Sequence, residues 1–428
     1  MKRYIFILSF LFVCLSTVAQ QAKTDIAKDN SLSAGNYLAY PGPLQKKLTA
    51  APDGYKPFYL SHYGRHGSRY LIDTDDYDKP YEILFRADSL GKLTGKGREV
   101  LKKVGLIREE AKGRDGELTL LGAEQHKGIA LRMYRHFPEI FEGKTNIDAK
   151  STVIIRCILS MENALQQLLL LNPQLNIRHD ASYHDMYYMN LDDRNLSRQK
   201  MGAQAKQAFE DFEKKHEHHE RVMHELFNDD NYWQHELNAS ILCKQLFELA
   251  SNVQSTELRH ELSLYDIFNE DEIYDNWLLH NAYWYIAYGP CPLNGGTQPF
   301  TQRNLLRKII SEADSCMAYS HPGATLRYGH EVDVLPLVCL LELDNDGQRI
   351  TDLEKIDDEG WNNYRIFPMG CNIQFVFYRK NVQDKNVIFK VLLNENETTL
   401  PLKSNIAPYY RWKDFKEYYI NKLDSYKD

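Results

Sequence analysis

The stretch "FYLSHYGRHGSRY", Phe58 to Tyr70, decides the fold. Its opening residues, Phe58 to Leu60, are apolar and aromatic and read as a β-strand running into the motif. Gly64 and Gly67 then flank Arg65 and His66, with Arg69 close behind. Two cations and an imidazole on one glycine-flanked turn repel each other unless an anion sits among them. The same handover from strand to polar turn recurs at "ATLRYG", Ala324 to Gly329, which leads into His330, Glu331 and Asp333. Pro336 follows, tolerated in a first helical turn, and then the apolar run of "VDVLPLVCLLEL". A third segment is "KSTVIIRCILSMENALQQLLLLNP", Lys150 to Pro173. Ile155, Ile158, Leu159, Leu165, Leu168 and Leu169 keep a helical period there, and Ser151 or Thr152 can cap the start. Arg156 thereby falls in the first turn or two, beside free backbone N–H groups that attract anions.

Around these segments, "IQFVFYR" and "NVIFKVLL" read as later strands. Strands alternating with helical patterns imply an α/β sheet with helical crossovers and flanking helices. Residues 191–310 differ in texture: they are almost wholly helix-forming and charged, as in "MGAQAKQAFEDFEKKHEHHERVMHELF". They read as a mainly helical subdomain inserted into the α/β core, with "YGPCPLNGG", Tyr288 to Gly296, a loop near its far end. The expected division is a leader over 1–20, a core over 21–190 and 311–428, and the insertion over 191–310.

The leader, "MKRYIFILSFLFVCLSTVAQ", has Lys2 and Arg3, a short apolar run and then small residues, the pattern of a secretory signal peptide. Val13 stands where lipid attachment at Cys14 wants a small residue, so anchoring as a lipoprotein is disfavoured. No later segment approaches the roughly 20 apolar residues of a membrane span. The expectation is an exported, periplasmic protein with no integral membrane segment after the leader is removed. The formal charge of −7 becomes −9 without Lys2 and Arg3, which speaks against nucleic acid or anionic lipid as partners. Cys157, Cys243, Cys291, Cys316, Cys339 and Cys371 remain. An even number permits disulfides in an oxidising compartment, and their spacing excludes a paired-cysteine zinc site. No signal in the chain sets the oligomeric state.

In an open α/β sheet, strand ends and helix starts converge on one crevice, which would gather Arg65, His66, Arg69, Arg156, His330 and Glu331. A tetrahedral dianion satisfies that set best, several oxygens meeting several donors. The arginines keep His66 neutral and nucleophilic and stabilise charge on a transferring phosphoryl group. A carboxyl beside a bound phosphate has a raised pKa and can protonate the leaving alkoxide, a role for which Glu331 is the natural choice. "KKHEHHER", Lys214 to Arg221, reads as a solvated helix surface, although His216 and His219 would share a helical face and suggest a metal. Gly122, Gln125 and His126 read as structural residues on a helix behind the site.

"RHGSR" (Arg65 to Arg69), "GELTLLGAEQH" (Gly116 to His126), "KSTVIIR" (Lys150 to Arg156) and "YGHE" (Tyr328 to Glu331) occur in the order of the histidine acid phosphatases. That is the branch of the histidine phosphatase superfamily that includes phytases. The resemblance covers most of the chain after the leader and is closest to the multiple inositol polyphosphate phosphatase group and its bacterial relatives, helped by the tail "YYRWKDFKEYY". It implies an α/β core with a helical insertion. It also implies that His66 becomes a phosphohistidine, that Arg65, Arg69, Arg156 and His330 hold the phosphate, that Glu331 donates the proton, and that no metal or cofactor takes part. The substrates it implies are small phosphate esters: phytate-like inositol polyphosphates, bisphosphoglycerate, or sugar phosphates for a broad acid phosphatase. A superfamily mutase and a non-catalytic phosphate-binding relative are the competing readings. The chain departs from the family at Lys150, where an arginine is usual, and at Leu71, where proline is frequent. It departs again at Glu331-Val332-Asp333, which matches neither the Asp of the acid phosphatases nor the Ala-Glu of the inositol polyphosphate group. Asp333 is therefore the reserve proton donor.

Overall fold

The computed structural model describes residues 21–427; the leader falls outside the described residues. Eight strands form one sheet: β1 (Lys56–Arg65), β2 (Asn146–Ser151), β3 (Asn176–Ala181), β4 (Gly323–Gly329), β5 (Asn372–Arg379), β6 (Ile388–Leu393), β7 (Asn396–Thr398) and β8 (Tyr410–Arg411). The order is β3-β2-β4-β1-β5-β6-β7, with β8 pairing β6. β3, β2, β4 and β1 are parallel, and β5 onward is antiparallel. The α/β class read from the sequence is the one observed.

Alternation along each strand divides the core between the two faces of the sheet. Leu60, Leu326, Val376 and Leu392 point to one face, where the helices Leu120–His136 and Ile155–Leu171 pack. Tyr59, Tyr63, Phe375 and Val391 point to the other, beneath the helices Glu270–Tyr288, Glu331–Leu341 and Trp412–Ser425. Residues 182–322 contain no strand and run through a series of helices, the last of which is Arg303–Cys316.

Three local expectations are corrected. Ser151 closes β2 and its hydroxyl donates to the Thr152 carbonyl, so neither Ser151 nor Thr152 caps the next helix, which starts after Ile154 without a side-chain cap. The buried stripe of that helix is Cys157, Ser160, Met161, Ala164, Leu165 and Leu168, while Ile155, Leu159 and Leu169 are exposed. The helix packs against β4, β2 and the Leu120–His136 helix and buries only a narrow strip. Finally, the helix Ala203–His216 ends at His216 and a new one begins after His219, so these two histidines share no helical face. His216 pairs with Glu354 and Asp275, and His219 with Glu217. All six described cysteines are free thiols.

Candidate active site

Parallel strands deliver their carboxyl ends to one edge of the sheet. The register pairs Arg65 with Gly329 and Ser151 with Tyr328, so His66, Thr152 and His330 leave the sheet at one level. Backbone hydrogen bonds then lock the turn: His66 N donates to Gly329 O (2.9 Å), Arg65 N to Cys371 O (2.8 Å) and Gly370 N to His66 O (2.9 Å). Behind it, Gln125 accepts from Ser68 N (2.8 Å) and donates to Ser68 Oγ (2.9 Å), and Ser160 Oγ accepts from Gly67 N. A Cβ on Gly67 would come within 2.4 Å of Gly122 O, so the turn and the Leu120–His136 helix require glycine against glycine. The sequence placed Gly122 and Gln125 behind the site, and they clamp this turn.

Arg65 and His66 are wholly buried, and Arg69, His330 and Glu331 nearly so. Arg65 Nε and Glu331 Oε2 are 2.9 Å apart, His66 Nε2 and the same oxygen 3.6 Å, and the rings of His66 and His330 meet edge to face at 5.7 Å. Arg69 and Arg156 act on the same group electrostatically, Arg156 from the second residue of its helix. All six residues read from the sequence are thus brought together. Arg65 Nη2, Arg69 Nε, Arg156 Nε and His66 Nε2 are buried without a hydrogen-bonding partner in the protein. The three unsatisfied guanidinium donors are expensive to bury, and their gathering around one imidazole describes an anion site.

The protonation pattern follows from contacts. His66 Nδ1 lies 2.9 Å from Gly67 O, a carbonyl that only accepts, so Nδ1 carries the proton and Nε2 presents its lone pair. Burial, reinforced by Arg65 and Arg156, holds His66 well below the usual imidazole range against the pull of Glu331. Burial likewise brings His330 to about 4. Glu331 would be raised by burial, but the Arg65 guanidinium, with Arg69 behind it, keeps it well below the usual carboxylate range, so it is ionised.

Asp333 lies apart from this cluster. Its Oδ2 is 2.8 Å from the Tyr63 hydroxyl, which is also 2.8 Å from Met189 O, and Gln302 Nε2 donates to its Oδ1 (3.3 Å). A hydroxyl has one proton and Met189 O can only accept, so both contacts are satisfied when Tyr63 donates to Met189 and a protonated Asp333 donates to Tyr63. Burial pushing Asp333 up to about 7 agrees with that assignment.

His66, His330 and Glu331 also offer ligand atoms within 4.8 Å of one another, the spacing of a metal site. Three guanidinium groups surround the trio, which favours an anion over a cation. Lys150, in the family's arginine position, pairs with Asp185 (2.9 Å) instead of joining the cluster. Leu71 uses its N–H to donate to Tyr77 (2.7 Å), a bond that proline could not make. Sequence reasoning missed Asn36 and Phe367, whose carbonyls accept from Arg65 Nη1, and Tyr37, whose ring lies 5.3 Å from the Arg69 guanidinium. Backbone acceptors leave no trace in residue identity.

The model of the histidine phosphatase superfamily (branch 2) matches residues 64–394. Among solved structures, the chain is similar to a Bifidobacterium longum multiple inositol polyphosphate phosphatase in complex with inositol hexasulfate. That likeness has 17% identity and a TM-score of 0.72, and covers 90% of this chain and 96% of that one. A phytase from D. castellii aligns at 12% identity and a TM-score of 0.70, over 92% and 85% of the two chains. A Hafnia alvei phytase in complex with myo-inositol hexakis sulphate aligns at 12% and 0.53, over 87% and 98%. At these identities the likeness is one of fold. No curated protein matches the chain.

Proposed function

The chain belongs to branch 2 of the histidine phosphatase superfamily, and from that premise we propose that it is an exported phosphomonoesterase that works through a phosphohistidine on His66. The observation that carries the reading is the contact between His66 Nδ1 and Gly67 O, which leaves Nε2 as a buried lone pair among three arginines, with the Glu331 carboxylate 3.6 Å away. Nε2 attacks phosphorus, the P–O ester bond breaks, and Arg65, Arg69, Arg156 and His330 take up the phosphoryl charge. The leaving alkoxide takes a proton from Glu331. Water then attacks the phosphohistidine and gives its proton to Glu331, which passes it to the departing phosphate, so that His66 returns neutral and Glu331 ionised.

Glu331 is ionised in the free protein, so its proton has to arrive with the substrate. A phosphate monoester has its second pKa near 6, and below that pH it binds as a monoanion. The incoming phosphoryl group competes for Arg65, which raises the Glu331 pKa and lets the proton pass from phosphoryl oxygen to carboxylate to leaving oxygen. Turnover in mild acid follows from this route. The names of the structural neighbours support inositol polyphosphates as one substrate class; bisphosphoglycerate is a second, which rests on the sequence resemblance alone. The alternative, a broad acid phosphatase acting on sugar phosphates, needs only the phosphoryl cluster. Assay of the purified chain against phytate, bisphosphoglycerate, glycerol 2-phosphate and a hexose phosphate separates these. His66→Ala abolishes all turnover in this account, and a variant that still turns over would sink the mechanism.

A further inference from the structure

At one end of the sheet the short strands β7 and β8 finish the ladder, three and two residues long. At the other, six-residue β3 pairs with β2 on one side and meets no strand on its other side among the described residues. Such an edge presents backbone donors and acceptors to whatever strand can reach them. Alternation puts Arg178 and Asp180 on one face of β3, and Ile177, His179 and Ala181 on the other. The second face looks to the helix Ile155–Leu171: His179 Nδ1 lies 2.6 Å from Glu162 Oε1, and a groove between strand and helix is lined by Leu165, Leu169, Leu170 and Ile177. Leu170 is 73% exposed there.

The charges on the first face decide what can dock. The register with β2 sets Asp148 beside Arg178 and Lys150 beside Asp180. Arg178 bonds Asp148 (3.2 Å) while its side chain stays 82% exposed. Asp180 accepts the Ala181 N–H (2.8 Å) and has no ion pair among the described residues. Each of the two thus has a charge to offer beyond the edge.

We propose that two copies of this chain join edge to edge through β3, antiparallel about a two-fold axis at His179, to make one continuous sheet. A two-fold axis normal to the sheet keeps each face with its like, so a residue can oppose only one from the same face. With the axis at His179, Arg178 of one protomer opposes Asp180 of its partner, and Asp180 opposes Arg178. The row across four strands then runs Asp148, Arg178, Asp180, Lys150, alternating in sign, and the two-fold repeats it in reverse. Moving the axis by one residue sets Arg178 against Arg178 or Asp180 against Asp180, and like charges directly opposite destabilise a ladder. Charged side chains ordinarily guard an open edge against pairing; these fit a second copy in a single register. The axis also places the apolar groove of each protomer along the seam, on the face of the Ile155–Leu171 helix.

The test is sedimentation equilibrium of the purified chain from ~1 to ~100 μM, beside Arg178→Asp and Asp180→Arg. The wild type should rise with concentration toward the mass of two chains. Each variant alone sets like charges across the axis and should weaken dimerisation about tenfold or more. An equal mixture of the two variants restores opposite charges at both contacts, so a heterodimer should recover most of the lost affinity, which misfolding of either variant would not produce. Both positions are exposed and lie outside the phosphoryl cluster, so the turnover of each variant should match the wild type. A wild type that stays a single chain throughout the series, variants that dimerise undiminished, or a mixture that gains nothing over its components overturns the edge pairing.

Discussion

Replacing Asp333 by asparagine isolates the charge state of one buried carboxyl. Wild-type Asp333 is pushed up to about 7 by burial, from an ordinary value of 3.8. Its folded-state pKa is raised, so its contribution to stability is complete below the unfolded pKa and is lost as pH climbs through the folded one. From pH 5 the unfolded chain has released this proton while the folded chain holds it until the pH nears 7, where half is lost. Stability therefore falls by up to about 1.4 kcal/mol per pH unit from this group alone, ~2 kcal/mol over that window. Asparagine keeps the geometry: its amide donates to Tyr63 and its oxygen accepts from Gln302, and it never ionises. Urea denaturation of both proteins at pH 5 and pH 7 reads the effect as a difference of differences, in which titrations common to both cancel. The stability gap should move in favour of Asp333→Asn by ~2 kcal/mol from pH 5 to pH 7. A gap that stays constant with pH would refute the neutral assignment and the hydrogen-bond reasoning at Tyr63. Because Asp333 lies apart from His66, Asp333→Asn should also keep most of its turnover at pH 5.

Other substitutions probe neighbouring parts of the site. Glu331→Gln should lose about 100-fold or more in kcat on an alkyl phosphate and much less on p-nitrophenyl phosphate, whose leaving group needs little protonation; equal losses would move the donor role toward Asp333. Gly67→Ala drives a methyl group into Gly122 O and should destabilise the fold by about 1–3 kcal/mol in denaturant while displacing the carbonyl that orients His66, so activity should fall more than stability explains. Away from the site, Lys390 is buried and pairs with Glu397 at 2.8 Å; Lys390→Met strands that carboxylate and should lower stability by about 3 kcal/mol without altering KM. A Tm unchanged in Lys390→Met would show that Gln45 and Thr49, the other partners of Glu397, suffice.

The parts of the fold visible in the sequence were those where local chemistry and topology coincide. Strand β1 ends in Gly64-Arg65 and β4 in Gly329, each running into polar residues of the site, and parallel pairing brings those ends to one level, so His66, Arg65, Arg69, His330 and Glu331 could be grouped from sequence. Arg156 followed from its place near a helix start. The face of that helix did not, because its leucines and isoleucines outnumber the positions that touch the sheet, and Ile155 and Leu159 are left outside. The Arg65–Glu331 contact was not legible either: sequence gave each residue a partner in the phosphate, while the fold first gives them to each other. Nor was the Asn30–Tyr37 turn, which supports Arg65 through the Asn36 carbonyl and covers Arg69 with the Tyr37 ring. The neutral state of Asp333 depends on burial and on Met189, whose carbonyl takes the Tyr63 proton and which is far away in sequence.

The most direct test of the phosphohistidine is to capture it. The purified chain is mixed with a phosphate monoester labelled at phosphorus, quenched within a turnover under denaturing alkaline conditions that preserve phosphorylated histidine, and digested for mass spectrometry. The account predicts label on the peptide carrying His66, none on that of His330, and none in His66→Ala. Steady turnover of substrate with no label on His66 at any quench time would contradict it.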